Sequence, residues 1–446
     1  GVGRVFGHAQ NGVYKSVDGG ASWTRLAGGL PSGTQVGRIS LAVAPSDASR
    51  VYALVARSAT ATGGAAGTLG DYRSNDGGQT WTNRSIGSIQ SNFGWYYSVV
   101  GVHPTAPDTV LMGGVSLERS TNAGGGWNTV TPPHLDLHAL AWDAAGRLVA
   151  GDDGGVHRST NLGNSWTSLN GGLGLIQFYA GLSSHPSDDE TFFGGTQDNG
   201  SNRRNTPSLA WTQVFGGDGG WTQLEQQSPL RVFVEFQGTG NLYRSTNGGG
   251  SFNSSSSGIA SGDRNAFLPP YLIDPGNSNR MLYGTHRVYE STNGGSSWSV
   301  KSGDLSNGAG AIRSLAMSPA DTGIVWAATN DGNVLFSSNG GASFVIRLAG
   351  NPGWPRVTRE FAVHPTEPLT AWLAVAAYGT AQIRKTVDGG ASWSDLDGTL
   401  PDLPVNALAV SPGPGGTPDR TRAGTDAGLY FSADGGKSWS CRTRSS

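Results

Sequence analysis

One short phrase returns along the whole chain and constrains the fold more than any other feature. It reads KSVDGGASWTRL at residues 15–26, RSNDGGQTWTNR at 73–84, ESTNGGSSWSVK at 290–301, KTVDGGASWSDL at 385–396 and FSADGGKSWSCR at 431–442. A Ser or Thr, an Asp or Asn, a glycine pair, a small polar residue and an aromatic keep fixed spacing. Taking the Asp or Asn as a marker gives Asp18, Asp76, Asn122, Asn161, Asn247, Asn293, Asn339, Asp388 and Asp434. Successive spacings are 58, 46, 39, 86, 46, 46, 49 and 46. The 86 is two periods and hides a degenerate repeat, in which NRRNTPSLAWTQV keeps Trp211 but loses the phrase. Ten repeats of roughly 45 residues result, and tandem self-similarity at this period is the signature of a repeat architecture.

Each repeat also has a strand grammar. GRISLAVAPSDASRVYALV, AIRSLAMSPADTGIVWAAT and VNALAVSPGPGGTPDRTRAGT each show an apolar run, a turn containing Pro, and a second apolar run. Alternation of the GVYKS type follows, then the phrase, then a short closing run. This pattern predicts four strands, A to D, joined by hairpins. Helical periodicity is not sustained anywhere. A four-stranded unit of this length in tandem reads as a propeller blade. The first repeat, GVGRVFGHAQNGVYKS, begins at its strand B. The expected fold is all-β: one β-propeller of about ten four-stranded antiparallel blades spanning residues 1–446, with two tandem smaller propellers as the alternative.

Composition agrees. Glycine supplies 71 of 446 residues, as many tight turns require. The 14 Trp and 14 Phe set the chain apart from disordered Gly- and Ser-rich sequences. A formal net charge of −2 does not suit a nucleic-acid partner. No apolar run has the roughly 20 residues of a membrane-spanning helix. Cys441 is the single cysteine, so no intrachain disulfide can form.

The phrase resembles the Asp-box, or BNR, repeat, Ser-x-Asp-x-Gly-x-Thr-Trp. Within that family the chain looks most like the secreted bacterial proteins labelled "glycosyl hydrolase", which share GGTQDNG (here 194–200) and GGDGG (here 216–220). It is more distantly similar to sortilin, sialidase and xyloglucanase propellers. The Arg-Ile-Pro motif of sialidases does not occur in the chain. The resemblance implies a propeller fold, an extracellular location and action on carbohydrate. A polysaccharide-directed glycoside hydrolase is the leading expectation. A non-catalytic glycan- or protein-binding propeller and an extracellular structural protein are the alternatives.

The phrase itself is expected to build turns, since a catalytic residue is not needed in every repeat. Chemistry is expected where repeats deviate, on the face that carries the D–A and B–C loops. PPHLDLHAL brings His134, Asp136 and His138 to strand A of repeat four, and at i, i+2 and i+4 an extended chain would point all three one way. AGDDGGVHRS offers Asp152 and Asp153. GGTQDNG offers Gln197, Asp198 and Asn199, and FGGDGGWTQ offers Asp218 and Trp221. Paired carboxylates flank a scissile glycosidic bond in most glycoside hydrolases, which nominates Asp136, Asp153, Asp198 and Asp218 as catalytic. Trp95, Trp354 and Trp221 are expected sugar platforms, with His134, His138, Asp152, Gln197 and Asn199 as further ligand contacts. No cofactor is required by this chemistry. His134, Asp136 and His138 could also hold a divalent cation. His103, His185 and His364 each precede Pro in an A–B turn and are expected to be structural.

Overall fold

The computed structural model describes residues 7–59, 66–174, 176–179, 181–349 and 358–442. The chain divides into two compact parts, Gly1–Leu175 and Ile176–Ser446. Among the described residues the secondary structure is all strand apart from one 3-10 turn at Pro414–Gly416. There are nine four-stranded antiparallel sheets and one two-stranded hairpin, each strand hydrogen-bonded to its neighbour in sequence. The first part holds the hairpin (Tyr14–Lys15 with Thr24–Arg25) and sheets two to four, over residues 36–83, 99–130 and 137–168. The second part holds sheets five to ten, over residues 183–215, 219–254, 271–300, 312–348, 358–395 and 405–441.

The four-strand grammar therefore holds in nine repeats. In the first repeat only strands C and D fall among the described residues. Predicted strands also appear where expected: Val36–Ala44 and Asp47–Arg57, Ile312–Met317 and Val325–Thr329, Val405–Ser411 and Arg420–Thr425. Apolar side chains of consecutive sheets share clusters. Leu282 and Val288 of sheet seven pack with Ile312, Leu315 and Val325 of sheet eight, and Trp372 and Ile383 of sheet nine pack with Val405, Leu408 and Ala423 of sheet ten. A sheet with both faces covered in this way reads as nearly continuous apolar runs, such as the fully buried Val325–Thr329.

The repeated phrase lies in every case between strands C and D. In sheet four, Ser159 Oγ donates to Asn161 Oδ1 (2.9 Å) and accepts from Gly163 N (2.8 Å), while Asn161 Oδ1 accepts from Ser165 N (2.9 Å). The same bonds recur around Asp76, Asn122, Asn247, Asn293, Asn339, Asp388 and Asp434. Each turn needs two consecutive left-handed residues, as at Gly77 (φ 66°) and Gly78 (φ 93°), which is why glycine fills both places in most repeats. In repeats three and four Ala123 (φ 59°) and Leu162 (φ 58°) take the first place at a steric cost. The interchange of Asp and Asn follows from the partner hydroxyl. Thr80 Oγ1 donates to Asp76 Oδ2 (2.6 Å), whereas Ser165 Oγ accepts from Asn161 Nδ2 (2.9 Å). A hydroxyl rotates to serve either role.

In some repeats the Trp of the phrase reaches back to the segment leaving the preceding sheet, whereas Trp81 Nε1 donates to Gly78 O of its own turn (2.9 Å). Trp298 Nε1 donates to Ser255 O (2.7 Å), and Trp166 Nε1 to Thr131 O (3.1 Å). His103, His185 and His364 are structural, as expected. Each Nδ1 accepts a backbone N–H two residues on, at 3.3 Å, and so closes its A–B turn.

Candidate functional site

At the opposite end of the sheets strand A begins irregularly. In six sheets it carries a β-bulge near its first residue. In sheet four Leu137 pairs with Asp152 and Ala139 with Gly151, leaving His138 as the extra residue. Bulges re-aim one side chain while leaving the rest of the ladder in register. The pattern of apolar residues does not reveal them.

His138 uses that freedom to meet the B–C turn of its own sheet. Its Nε2 donates to Asp153 Oδ1 at 2.7 Å. The imidazole lies edge-on between two aromatic rings from the segment entering sheet three, with centroids 5.2 Å from Tyr96 and 5.1 Å from Tyr97. Tyr96 is exposed, Tyr97 is buried, and Trp95 stacks obliquely on Tyr96 at 5.3 Å. Tyr97 Oη donates to Asp153 Oδ2 at 3.5 Å. Asp136 stands in the same cluster. Burial pushes its carboxyl up, and the charge of Asp153 pushes it further, against the opposing pull of Tyr97, His134 and His138.

The reason first given for grouping these residues does not hold. Asp136 has φ 65°, and strand A starts only at Leu137, so His134, Asp136 and His138 do not sit on an extended chain. They converge because the left-handed turn at Asp136 and the bulge at His138 fold the segment over the B–C turn. The close approach also needs glycine at 154, where a Cβ would come within 2.8 Å of the His134 side chain. The expected metal set is not assembled: among the described residues no three His, Cys, Asp or Glu side chains are arranged to hold an ion. His138 is directed to Asp153, and His134 Nδ1 donates to Leu135 O (3.1 Å).

Asp152 does different work from its neighbour. Its side chain is fully buried, accepts from Gly154 N (3.0 Å) and from His157 Nδ1 (3.1 Å), and burial raises its pKa. It fixes the turn that presents Asp153. His157 lay within the AGDDGGVHRS segment but was not singled out as a partner. Its facing position follows from the Asp152–Gly155 pairing of the B–C hairpin. Tyr97 was also missed, although it adjoins Trp95 and Tyr96.

In the second part of the chain, Gln197, Asp198 and Asn199 form the three-residue B–C turn of sheet five, with Asp198 left-handed at φ 57°. Asp218 Oδ1 accepts from Asp198 N (2.9 Å), and Asp218 N donates to Gln237 Oε1 (3.2 Å). Asp218 therefore braces two turns. Asn199 Nδ2 donates to Gln197 O (2.9 Å), and Gln197 is exposed. Tyr179 lies close by, its phenol pushed up by burial and by the charges of Asp218 and Asp198. Trp221 sits at the bulge of strand A in sheet six and is half-buried. Its backbone N donates to Oε1 of the fully buried Glu235 at 3.1 Å, and burial holds that carboxyl well above the usual range. No sequence signal marked Glu235, which lies in the apolar run VFVEF. Trp354 lies outside the described residues.

No helix among the described residues is long and apolar enough to cross a membrane. No family model and no curated protein matches the chain. Among solved structures it is similar to a GH74 enzyme of Niastella koreensis, with 15% identity over 98% of this chain and 90% of that one, at a TM-score of 0.28. The GH74 xyloglucanase of Xanthomonas campestris matches with 16% identity over 98% of this chain and 77% of that one, at a TM-score of 0.28. YCF48 bound to a D1 peptide matches with 12% identity over 72% of this chain and 88% of that one, at a TM-score of 0.39.

Proposed function

We propose that the chain is an extracellular β-propeller that hydrolyses a polysaccharide at the Asp136–Asp153 cluster. The observation that carries this reading is a pair of carboxyl groups in two unlike settings beside the exposed ring of Tyr96 and the half-buried ring of Trp95. Asp136 is raised by burial and by its neighbour, which suits a general acid. Asp153 is oriented by His138, which suits a base or nucleophile. Tyr96 and Trp95 supply the flat apolar faces on which sugar rings stack. Asp198 and Asp218, nominated with them, fit better as turn supports because Asp218 already holds the Asp198 backbone. No step in this scheme needs a metal. The repeats would form blades of one ring, an arrangement that two separate pseudo-symmetry axes in an electron-microscopy reconstruction would overturn.

The test is a panel of neutral polysaccharides assayed for new reducing ends, with the protein and its Asp136→Asn and Asp153→Asn variants. Release by the parent that both variants lose supports the reading. Equal release by all three would sink it, and so would none by the parent.

A binding-only reading has one specific support. In sheet ten the bulged residue Asn406 donates from Nδ2 to Asp426 Oδ1 at 2.7 Å, the same placement as His138 and Asp153 with no imidazole. Under that reading the pair is scaffolding, the aromatic rings hold a glycan or a protein segment, and Asp153→Asn lowers stability without changing affinity.

A further inference from the structure

Sheet five departs from its neighbours in a way the phrase alone does not explain. Its strand A is cut to Ser183–Ser184, against six residues in Ile312–Met317 of sheet eight. Beside it, residues 181–184 and 221–227 line a cavity of about 420 Å³, within the usual size of a small-ligand site. Asp198 and Asp218 are not among its walls.

The cavity is built rather than incidental. Trp221 forms part of its wall and lies along the backbone of Gly181, where a Cβ would come within 2.4 Å of the indole. Gly181 also has φ 83°, so both the ring and the backbone demand glycine there. Ile273 and the exposed Leu182 add apolar surface, and Ser184 and Gln227 stand exposed at the rim. Glu225 is 3% exposed and lines the interior. Its Oε2 lies 2.9 Å from Arg231 Nη1, yet no hydrogen bond is aligned on that oxygen. The ion pair is held within the wall and leaves that side of the cavity without net charge.

We propose that this cavity is a second binding site, taking one neutral sugar ring of a glycan chain against Trp221, with ring hydroxyls meeting the exposed Ser184 and Gln227 at its rim. The chemistry selects the ligand class. An indole wall suits the C–H face of a pyranose, and amide and hydroxyl groups at the rim suit its edges. Among the described residues no Lys, Arg or His lines the cavity, so uronates and other anionic sugars would find no counter-charge there. The site needs no turnover, so it goes beyond the hydrolase reading and stands or falls separately.

Titration calorimetry of the whole protein with millimolar cellotetraose, xylotetraose or mannotetraose tests it, with tetragalacturonate as the anionic control. At least one neutral tetrasaccharide should bind and the control should not. Ser184→Arg, on an exposed wall, should fill the opening and weaken binding at least tenfold with an unchanged melting temperature. Trp221→Leu should do the same if it folds. Asp153→Asn should leave this binding intact, which separates the site from the hydrolytic one. The proposal is overturned if no neutral tetrasaccharide binds, if tetragalacturonate binds as well, or if Ser184→Arg binds as tightly as the parent.

Discussion

The two ends of sheet four are made in opposite ways. At one end Ser159, Asn161, Gly163 and Ser165 tie a turn with bonds that recur at every marked repeat. At the other, His138, Asp153, Asp136, Tyr96 and Tyr97 form a cluster that no other sheet copies in full. The first end is repeated because every sheet must close its C–D hairpin, and one set of bonds closes each of them. The second end is free to vary because strand A begins there with a bulge and the B–C loop carries no closing role. Architecture has been standardised at one end, and side-chain variation has been left to the other.

The largest expected effect is on turnover at the variable end. Asp136→Asn and Asp153→Asn should each lower polysaccharide hydrolysis by about 10²- to 10⁴-fold, the usual contribution of a positioned acid or base. Their unfolding midpoints should stay near that of the parent. Rates of reducing-end release and denaturant melts on the same samples measure both.

Next comes a change at the repeated end. Ser159 is 1% exposed, and Ser159→Ala leaves the Gly163 amide without its acceptor. An unsatisfied buried donor costs about 1–3 kcal/mol. Chemical denaturation should register that loss while hydrolysis per folded molecule is unchanged. An activity loss as large as that of Asp153→Asn would mean that the two ends are not independent.

Sheet nine sharpens the contrast through pH, since its ends titrate in opposite senses. Near the bulge, burial pushes Glu360 up to about 7 from its ordinary 4.5, although Leu408 N donates to it at 3.1 Å. A raised carboxyl stabilises the fold most below pH 4.5, and that contribution is lost as pH rises toward 7. Glu360→Gln should therefore gain stability relative to the parent above neutrality and show no advantage in acid. Melting temperature measured across that range is the check.

The smallest effect belongs to the exposed turn at the other end. Hydrogen bonds from Ser392 hold Asp388 down at about 2, against an ordinary 3.8. A depressed carboxyl contributes stability above its ordinary pKa and loses it as pH falls toward 2. Asp388→Asn should lower stability slightly above the ordinary carboxylate pKa and match the parent as pH falls toward 2, which flattens the acid limb. Because the group is solvent-exposed, added salt should shrink the difference.

The repeated end was legible in the sequence because its physics is local. A left-handed glycine pair, a hydroxyl and a side-chain oxygen within seven residues specify the turn completely, and its spacing then places the strands. The variable end was legible only as a set of deviations. Asp153 and His138 could be nominated, but their hydrogen bond depends on a bulge that leaves no mark in the apolar pattern. Asp136 was grouped correctly for the wrong reason, since a non-glycine residue at φ 65° is invisible to an argument from alternation. Asp218 was nominated from its place beside glycine, and its bond to the Asp198 amide, 20 residues away, is one that spacing does not reveal. Tyr97 reaches the cluster from sheet three, and only the fold brings it there.

The rotating hydroxyl of the repeated turn also bears on how the protein ages. Asn247, Asn293 and Asn339 each precede glycine, the pairing in which the next backbone nitrogen most readily closes on the asparagine side chain and expels ammonia, and water then opens the cyclic imide to aspartate or isoaspartate. In most proteins that conversion to aspartate breaks whatever the amide was donating to. Here the Ser251, Ser297 or Ser343 hydroxyl now accepts from the amide, and it can turn and donate to the new carboxylate, as Ser392 does to Asp388. Each event that yields aspartate adds one negative charge to a chain whose formal charge is −2, and the turn remains tied, whereas isoaspartate lengthens the backbone inside it. The aspartate form of one repeat is the native form of another.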